Sequence, residues 1–348
     1  MAAYDILPAP SLRWQELATP ALLIAVAYGI VPAVAPGYAI DAILLPFLAL
    51  SLAAVGLNLV TGYCGQLSLG SAAFMAVGAY AAYNFDLRVP GLPLLASIAL
   101  AAATAAAIGL VFGLPSLRIR GFYLAVSTLA AQFFVQWALT KFGWFSNDSA
   151  SGVISAPRIE VAGFGFATPV GRYLFAVTIV ILLTGLAWRL VGGPFGANMI
   201  AVRDNETAAR VIGVPVLRTK LLAFAISSAI IGVAGVLWAF AYLRTVEPAG
   251  FDLDRSFQLL FIIIIGGLAS IRGAFLGAAF IVALPLLLSN LAASLFGGAV
   301  DSGTLELVQR ILLGVLIILF LVAEPEGLSA VIERLSARLR RAINGDRP

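Results

Sequence analysis

Residues Gly193–Lys220 read GPFGANMIAVRDNETAARVIGVPVLRTK, the one long charged stretch inside a chain that is otherwise apolar enough to dissolve in a membrane. Apolar runs flank it on both sides, which makes it a loop at a membrane surface. Within it the spacing predicts a short helix from Asp204 to Ile212. Asp204 or Asn205 can cap the first amides. Val214-Pro215 ends the helix, because the residue before a proline is pushed out of the α region. Nothing in the loop suits catalysis. A compact, charged, alanine-bearing helix held between two spans is what a docking element for a soluble partner requires.

Composition sets the medium. Hydrophobic residues make up 61% of the chain and charged residues 11%, with a mean hydropathy of +1.04, whereas soluble domains carry about 25% charged residues. One polytopic membrane domain follows rather than two soluble ones. There are no histidines and one cysteine, Cys64, which excludes His/Cys metal sites, imidazole base chemistry and an intrachain disulfide. Cys64 sits in a Gly-rich apolar turn and reads as a small packing residue. The net charge of +4 does not point to nucleic acid, because the basic residues follow membrane topology and form no stripe interleaved with aromatics. Residues 1–20 hold Arg13 against Asp5 and Glu16, so the basic start of a secretory signal is missing.

Apolar runs predict about ten spans, near 21–35, 39–60, 67–84, 91–113, 121–141, 172–192, 220–243, 257–271, 273–292 and 306–323. The stretch 67–84 also fits a half-helix with an irregular entry, and the short pair around Gly266–Gly273 also fits a re-entrant segment. The chain divides into a tail (1–20), a transmembrane domain (21–323) and a basic tail (324–348). Placing the loop 193–219 in the cytoplasm puts fourteen of the 21 Lys and Arg residues on that side, which fixes the orientation with both termini inside. Residues 142–171 then form the longest outside loop. They read as a linker or as a landing surface for an external partner.

The polar exceptions within the spans carry the candidate site, since hydrocarbon penalises them unless they face protein or water. They cluster in GLNLVTGYCGQLSLGSAAF, Gly56–Phe74, which reads as a broken helix. On one reading Asn58, Gln66, Ser68, Gly70 and Ser71 line a solute path; on the other, Gly70, Ser71, Ala72, Ala73, Gly78 and Ala82 simply allow close helix packing. Thr128, Gln132 and Gln136 recur every four residues on one helix face. They either line an aqueous path or bond between helices. Ser227, Ser228, Gly232 and Gly235 read as packing residues. Acidic and basic groups are nearly absent from the spans as drawn. Asp41 falls at a span end and Asp252, Asp254 and Arg255 fall in an outside loop, which argues against a proton- or sodium-coupled carrier.

Four segments together resemble the LivM-type permeases of branched-chain amino-acid ABC importers. These are Gly56–Tyr80, Arg120–Leu129 (RGFYLAVSTL), the loop from Arg203 to Gly213, and Gly266–Ala278 (GGLASIRGAFLGA) with Pro325-Glu326-Gly327 after it. Ser71 stands where that family commonly has His, and Ala269 and Ala274 replace its usual Gly and Pro. The resemblance implies an all-α polytopic integral membrane protein of about ten transmembrane helices, some short or broken, with the ABC importer permease fold. It implies a bacterial inner membrane location, with membrane lipid around the chain. It also implies a second permease subunit, two cytoplasmic ATPases and a periplasmic solute-binding protein. Arg203, Asp204, Glu206, Ala208, Ala209 and Gly213 would couple the chain to an ATPase, with Ala208 and Ala209 kept small for close approach. The chain has no phosphate-binding loop of its own. It is therefore expected to be no enzyme, to hold no metal or cofactor, and to leave ATP and Mg to its partners. The solute would be a branched-chain or related amino acid, or alternatively urea, a short-chain amide or an aromatic acid. A stand-alone carrier or channel, or a membrane-embedded enzyme, are the readings from other classes. The first lacks an ionisable coupling residue, and the second lacks convergent catalytic groups.

The orientation is testable by labelling. With Cys64 removed, a cysteine at Ser149 should react with an impermeant maleimide in intact cells and one at Thr207 should not; labelling at Thr207 alone inverts the topology.

Overall fold

A helix that crosses hydrocarbon satisfies its own backbone, but helices gain nothing there by burying apolar side chains against one another. What holds this bundle together is close approach at small residues and hydrogen bonds between spans. A computed structural model describes residues 24–116, 123–149, 152–161 and 163–296, helical turns between 303 and 319, and residues 327–334. The expected tail 1–20, the Arg120 end of one motif, most of the span 306–323 and residues 335–348 lie outside the described residues.

The described elements are helical apart from four two-residue strands. Helix α1 (residues 26–34) precedes α2 (Gly37–Tyr63), α3 (Ser71–Arg88), α4 (Leu94–Ser116) and α5 (Tyr123–Lys141). Strands β1 (Ile154–Ser155), β2 (Glu160–Val161) and β3 (Phe164–Gly165) then lead into α6 (Pro169–Val191). The charged loop holds α7 (Pro194–Asp204) and α8 (Glu206–Val211). The chain continues through α9 (Val216–Leu243), β4 (Thr245–Val246), α10 (Leu253–Gly266) and α11 (Ile271–Phe296). Five of these helices, α2, α4, α6, α9 and α11, are long and apolar enough to cross a membrane. The others of the core, α3, α5 and α10, are shorter. Strands β2 and β3 form a hairpin, and β1 pairs with β4, which ties the 142–171 loop to the chain just beyond α9.

Two long helices form the centre. In α2 and α9, 83% and 72% of the apolar window is buried, against 33% in α4, α6 and α11. They pack on each other, and each also packs on a hairpin from the other half of the chain: α9 on α3 and α4, α2 on α10 and α11. Each long helix ends in a π-helical turn, Leu59–Tyr63 or Leu237–Leu243, before irregular chain and a shorter helix. Arg203 at the end of α7 bonds Gly62 at the end of α2, while Glu206 in α8 pairs with Lys220 near the start of α9. The two long helices therefore run in opposite directions, and residues 37–116 and 216–296 form inverted repeats, an arrangement common in transporters.

Small residues set the crossings. An ideal Cβ on Gly78 would lie 2.1 Å from the Gly232 carbonyl oxygen, one on Gly235 would lie 2.0 Å from that of Met75, and one on Gly109 would lie 2.3 Å from Ser228 Oγ. Ser227 Oγ donates to the Gly56 carbonyl at 2.6 Å, so Ser227, Ser228, Gly232 and Gly235 are packing residues. The α10–α11 hairpin closes through Gly266, Gly273 and Gly277 in the same way. Gly327, at φ +75°, lies against Gly267 at that turn. At the end of the bundle away from α7 and α8, the buried Arg172 of α6 pairs with Asp41 of α2 at 3.0 Å and donates to the Ala241 carbonyl of α9 at 2.9 Å.

Several expected boundaries shift. The predicted span 39–60 extends over all of α2, and the 67–84 run divides into irregular chain up to Gly70 and then α3. The pair 257–271 and 273–292 becomes α10 and α11, whose turn falls at residues 267–270, earlier than hydropathy placed it. The loop 193–219 contains α7, a helix hidden by Gly196 and Asn198. It starts where Gly193 is extended and Pro194 fits the first helical position.

Gly78→Val should cost about 3 kcal/mol or more through a backbone clash and yield no monodisperse protein in detergent. Gly185→Ala, with nothing within 4 Å of the new methyl group, should purify like the parent; equal behaviour of the two variants would overturn the assigned crossing.

Candidate functional site

Helix α8 is built by its caps. Asn205 is extended, and its Oδ1 accepts from the Thr207 and Ala208 amides at 3.0 Å each, which decides the cap in its favour over Asp204. The exit is a Schellman turn: Gly213 N donates to Arg210 O at 3.1 Å and Val214 N to Ala209 O at 2.9 Å. Gly213 stands at φ +87°, the left-handed region that suits glycine. The helix thus ends on Gly213, before Pro215 acts.

The outward face of α8 differs from the expected one. Ala208 is exposed, but Ala209 is 1% exposed and packs into its own bundle. Bulk at Ala209 would therefore strain this chain first. The side chains the loop presents outward are Val211, 83% exposed, and Ile212, 74% exposed. Two large aliphatic groups at the tip of a charged loop were the signal available in the sequence. Glu206 is held from within by Lys220, and Arg210 lies 3.9 Å away one turn along the helix. Asp204 pairs with Arg203 at 2.9 Å.

Arg203 joins the loop to the broken stretch between α2 and α3. It donates to the Gly62 carbonyl at 3.2 Å. Its aliphatic stem lies over Gly65, where an ideal Cβ would meet it at 2.7 Å. Cys64 is buried in the same corner, and burial pushes its thiol up to about 12 despite the nearby Lys220. It stays a protonated thiol at neutral pH.

The residues assigned to a path, Asn58, Gln66, Ser68, Gly70, Ser71, Thr128 and Gln132, are all buried in this chain. Several of them bond backbone. Asn58 spans the α10–α11 turn, accepting from Ala269 N at 2.9 Å and donating to Ser270 O at 2.9 Å. Thr128 Oγ1 accepts from Leu69 N at 2.9 Å, and Gln132 Oε1 accepts from Ala73 N at 2.6 Å. Gln132 Nε2 donates to Phe251 O at 2.8 Å. Ser256, which sequence reading missed, accepts from Ala72 N at 2.9 Å and donates to Gln132 Oε1 at 3.1 Å. Gly70 lies against Thr128 O, where a Cβ would come within 2.6 Å. Asn58, Gly70, Thr128 and Gln132 thus each bond or touch the backbone of another segment. Gln66 Oε1 and Ser71 Oγ keep no partner among the described residues. Gln136, third in the polar line, is half-buried.

Part of the expected outside loop is helical. Asp252 caps α10 and Arg255 lies in its first turn, next to Ser256, which bonds the middle of α5. Asp252 and Arg255 are half-buried and Asp254 is exposed, α10 beginning directly after the turn Pro248–Phe251. A cavity of about 420 Å³ lies elsewhere, among Tyr80, Asn84, Arg88, Phe112, Phe134 and Trp144. It is lined by none of the assigned path residues.

Inverted halves, helices that start inside the bundle and a capped helix between the halves are the features of a polytopic membrane permease. The chain belongs to the family described as the permease component of the branched-chain amino acid transport system, whose model matches residues 39–321. It is 30% identical over 299 residues to the high-affinity branched-chain amino acid transport system permease protein LivM of Escherichia coli K12, covering 79% of this chain and 66% of that protein. A probable LivM of Methanocaldococcus jannaschii is 27% identical over 239 residues, 68% of each chain. A probable LivH from the same organism is 32% identical over 176 residues, 50% of this chain and 52% of that one. The chain spans 66% of the length of the Escherichia coli LivM. No solved structure matches it.

Asn58→Leu strips partners from one amide and from the Ser270 carbonyl. It should lower the stability of the detergent-solubilised protein by about 2–3 kcal/mol, read as a lower thermal midpoint. Gln66→Leu should leave the midpoint in place, and identical midpoints for both would refute the latch.

Proposed function

We propose that the chain is one permease subunit of an ATP-driven importer for branched-chain or related amino acids, working by alternating access. Supporting this is one observation above the rest: a capped helix with Val211 and Ile212 exposed at its tip is wired, through Arg203 and Gly62, to the point where α2 breaks. A force on α8 reaches the broken helix through that contact. The engine is a pair of separate ATPases seated on α8, which bind the ATP and Mg, and this chain holds no cofactor. The LivH and LivM relatives support a second, different permease as the partner. A solute-binding protein docks outside on the 142–171 loop, tied to β4 and thereby to the end of α9. The orientation places α7, α8 and both termini in the cytoplasm of a bacterial inner membrane, in line with the Arg/Lys asymmetry.

Exposed aliphatic groups on a small charged helix bind by desolvation, so a charge there should uncouple the machine. In the reconstituted complex, Val211→Asp or Ile212→Asp should lower uptake of radiolabelled leucine about tenfold or more while membrane insertion stays normal. Parental uptake by both variants would dismiss α8 as the coupling element. A screen of isoleucine, valine, aromatic acids and urea in the same assay assigns the solute.

A further inference from the structure

Two buried hydrogen-bond donors meet inside the bundle without a partner among the described residues: Nε1 of Trp238 on α9 and Nε of Arg255 on α10. The Arg255 guanidinium lies over the Trp238 ring, 4.2 Å from its centroid, and its other arm donates to Gln258. Gly250 stands beside the indole nitrogen, and even an added Cβ there would stay 3.9 Å from it. The Tyr242 ring closes the other side, 4.6 Å from that of Trp238. Trp238 is 4% exposed, while Tyr242 and Arg255 are half-buried and Asp254 is exposed, so the pair opens on one side only.

Depth makes this cluster costly. Ser256, the next residue, bonds Gln132 in the middle of α5, and Trp238 lies within α9, short of its end at Leu243. A guanidinium is placed where hydrocarbon disfavours charge, a position that calls for a task. The Asp252 carboxylate bonds the Arg255 backbone amide at 3.0 Å, which turns its oxygen towards the helix start. Two donors, one of them cationic, are arranged for an anionic oxygen arriving from the open side.

We propose that Arg255 and Trp238 bind the carboxylate of the transported solute, an α-amino acid, at a station between the outer surface and the middle of the membrane. This rests on the importer reading and adds to it a recognition site in the permease itself.

The test uses the complete complex in lipid nanodiscs, without binding protein for the optical arm and with it for uptake. Leucine should change the intrinsic tryptophan emission in a saturable way, and that change should vanish in Trp238→Phe and Arg255→Gln. Isopentylamine, which is leucine without its carboxylate, should leave emission unchanged. Leucine uptake should fall on the order of tenfold to a hundredfold in Arg255→Gln, with normal assembly and basal ATP hydrolysis. Arg255→Lys, which keeps the charge and loses the fork, should recover part of it. Parental leucine uptake by Arg255→Gln, or an emission change that isopentylamine reproduces, sinks the station and leaves the importer reading standing. A parental complex that takes up no amino acid sinks both.

Discussion

A helix that begins inside a membrane exposes amides which hydrocarbon cannot satisfy, and each must find a partner in the protein. The structure turns on how α3 meets that demand. The amides of Leu69, Ala72 and Ala73 are taken by Thr128, Ser256 and Gln132, which come from α5 and α10. Three side chains from two other helices thereby set where α3 starts, how far α5 slides along it, and where α10 enters. Gln132 also reaches Phe251, so the descent of the chain into α10 hangs on the same residue.

The same demand shapes the other break. The turn between α10 and α11 sits inside the bundle with Gly267 and Ala269 at positive φ, and Asn58 of α2 bonds it. In each half of the inverted repeat the irregular backbone is held by polar side chains of other helices.

The charged loop touches both central helices at one end of the bundle. The α7–α8 loop contacts the end of α2 through Arg203 and the start of α9 through Glu206 and Lys220. These are the most buried of the long helices, and each leads into a shorter one, α3 or α10. At the opposite end, Arg172 joins α6, α2 and the end of α9, so the long helices are tied together there by an ion pair and a carbonyl bond.

The medium, the helical class, the approximate spans, the charged loop with its short helix and the family resemblance were legible in the residues alone. Those features follow from local rules: about 20 apolar residues span a bilayer, Asn caps a helix, and Gly213 ends one. The polar cluster at Gly56–Phe74 was also legible as a place where helix would break. Whether Asn58, Thr128 and Gln132 would face a solute or a neighbouring backbone was a different matter, since both readings put a polar group on one face of a span. Only the tertiary arrangement decided it, by bringing the Ala269 amide to Asn58 and the α3 amides to Thr128 and Gln132. The depth of Arg255 was undecidable for the same reason. Hydropathy counts residues along the chain, and a segment that dips inward through Pro248–Phe251 reads like an outer loop until the helices around it are in place.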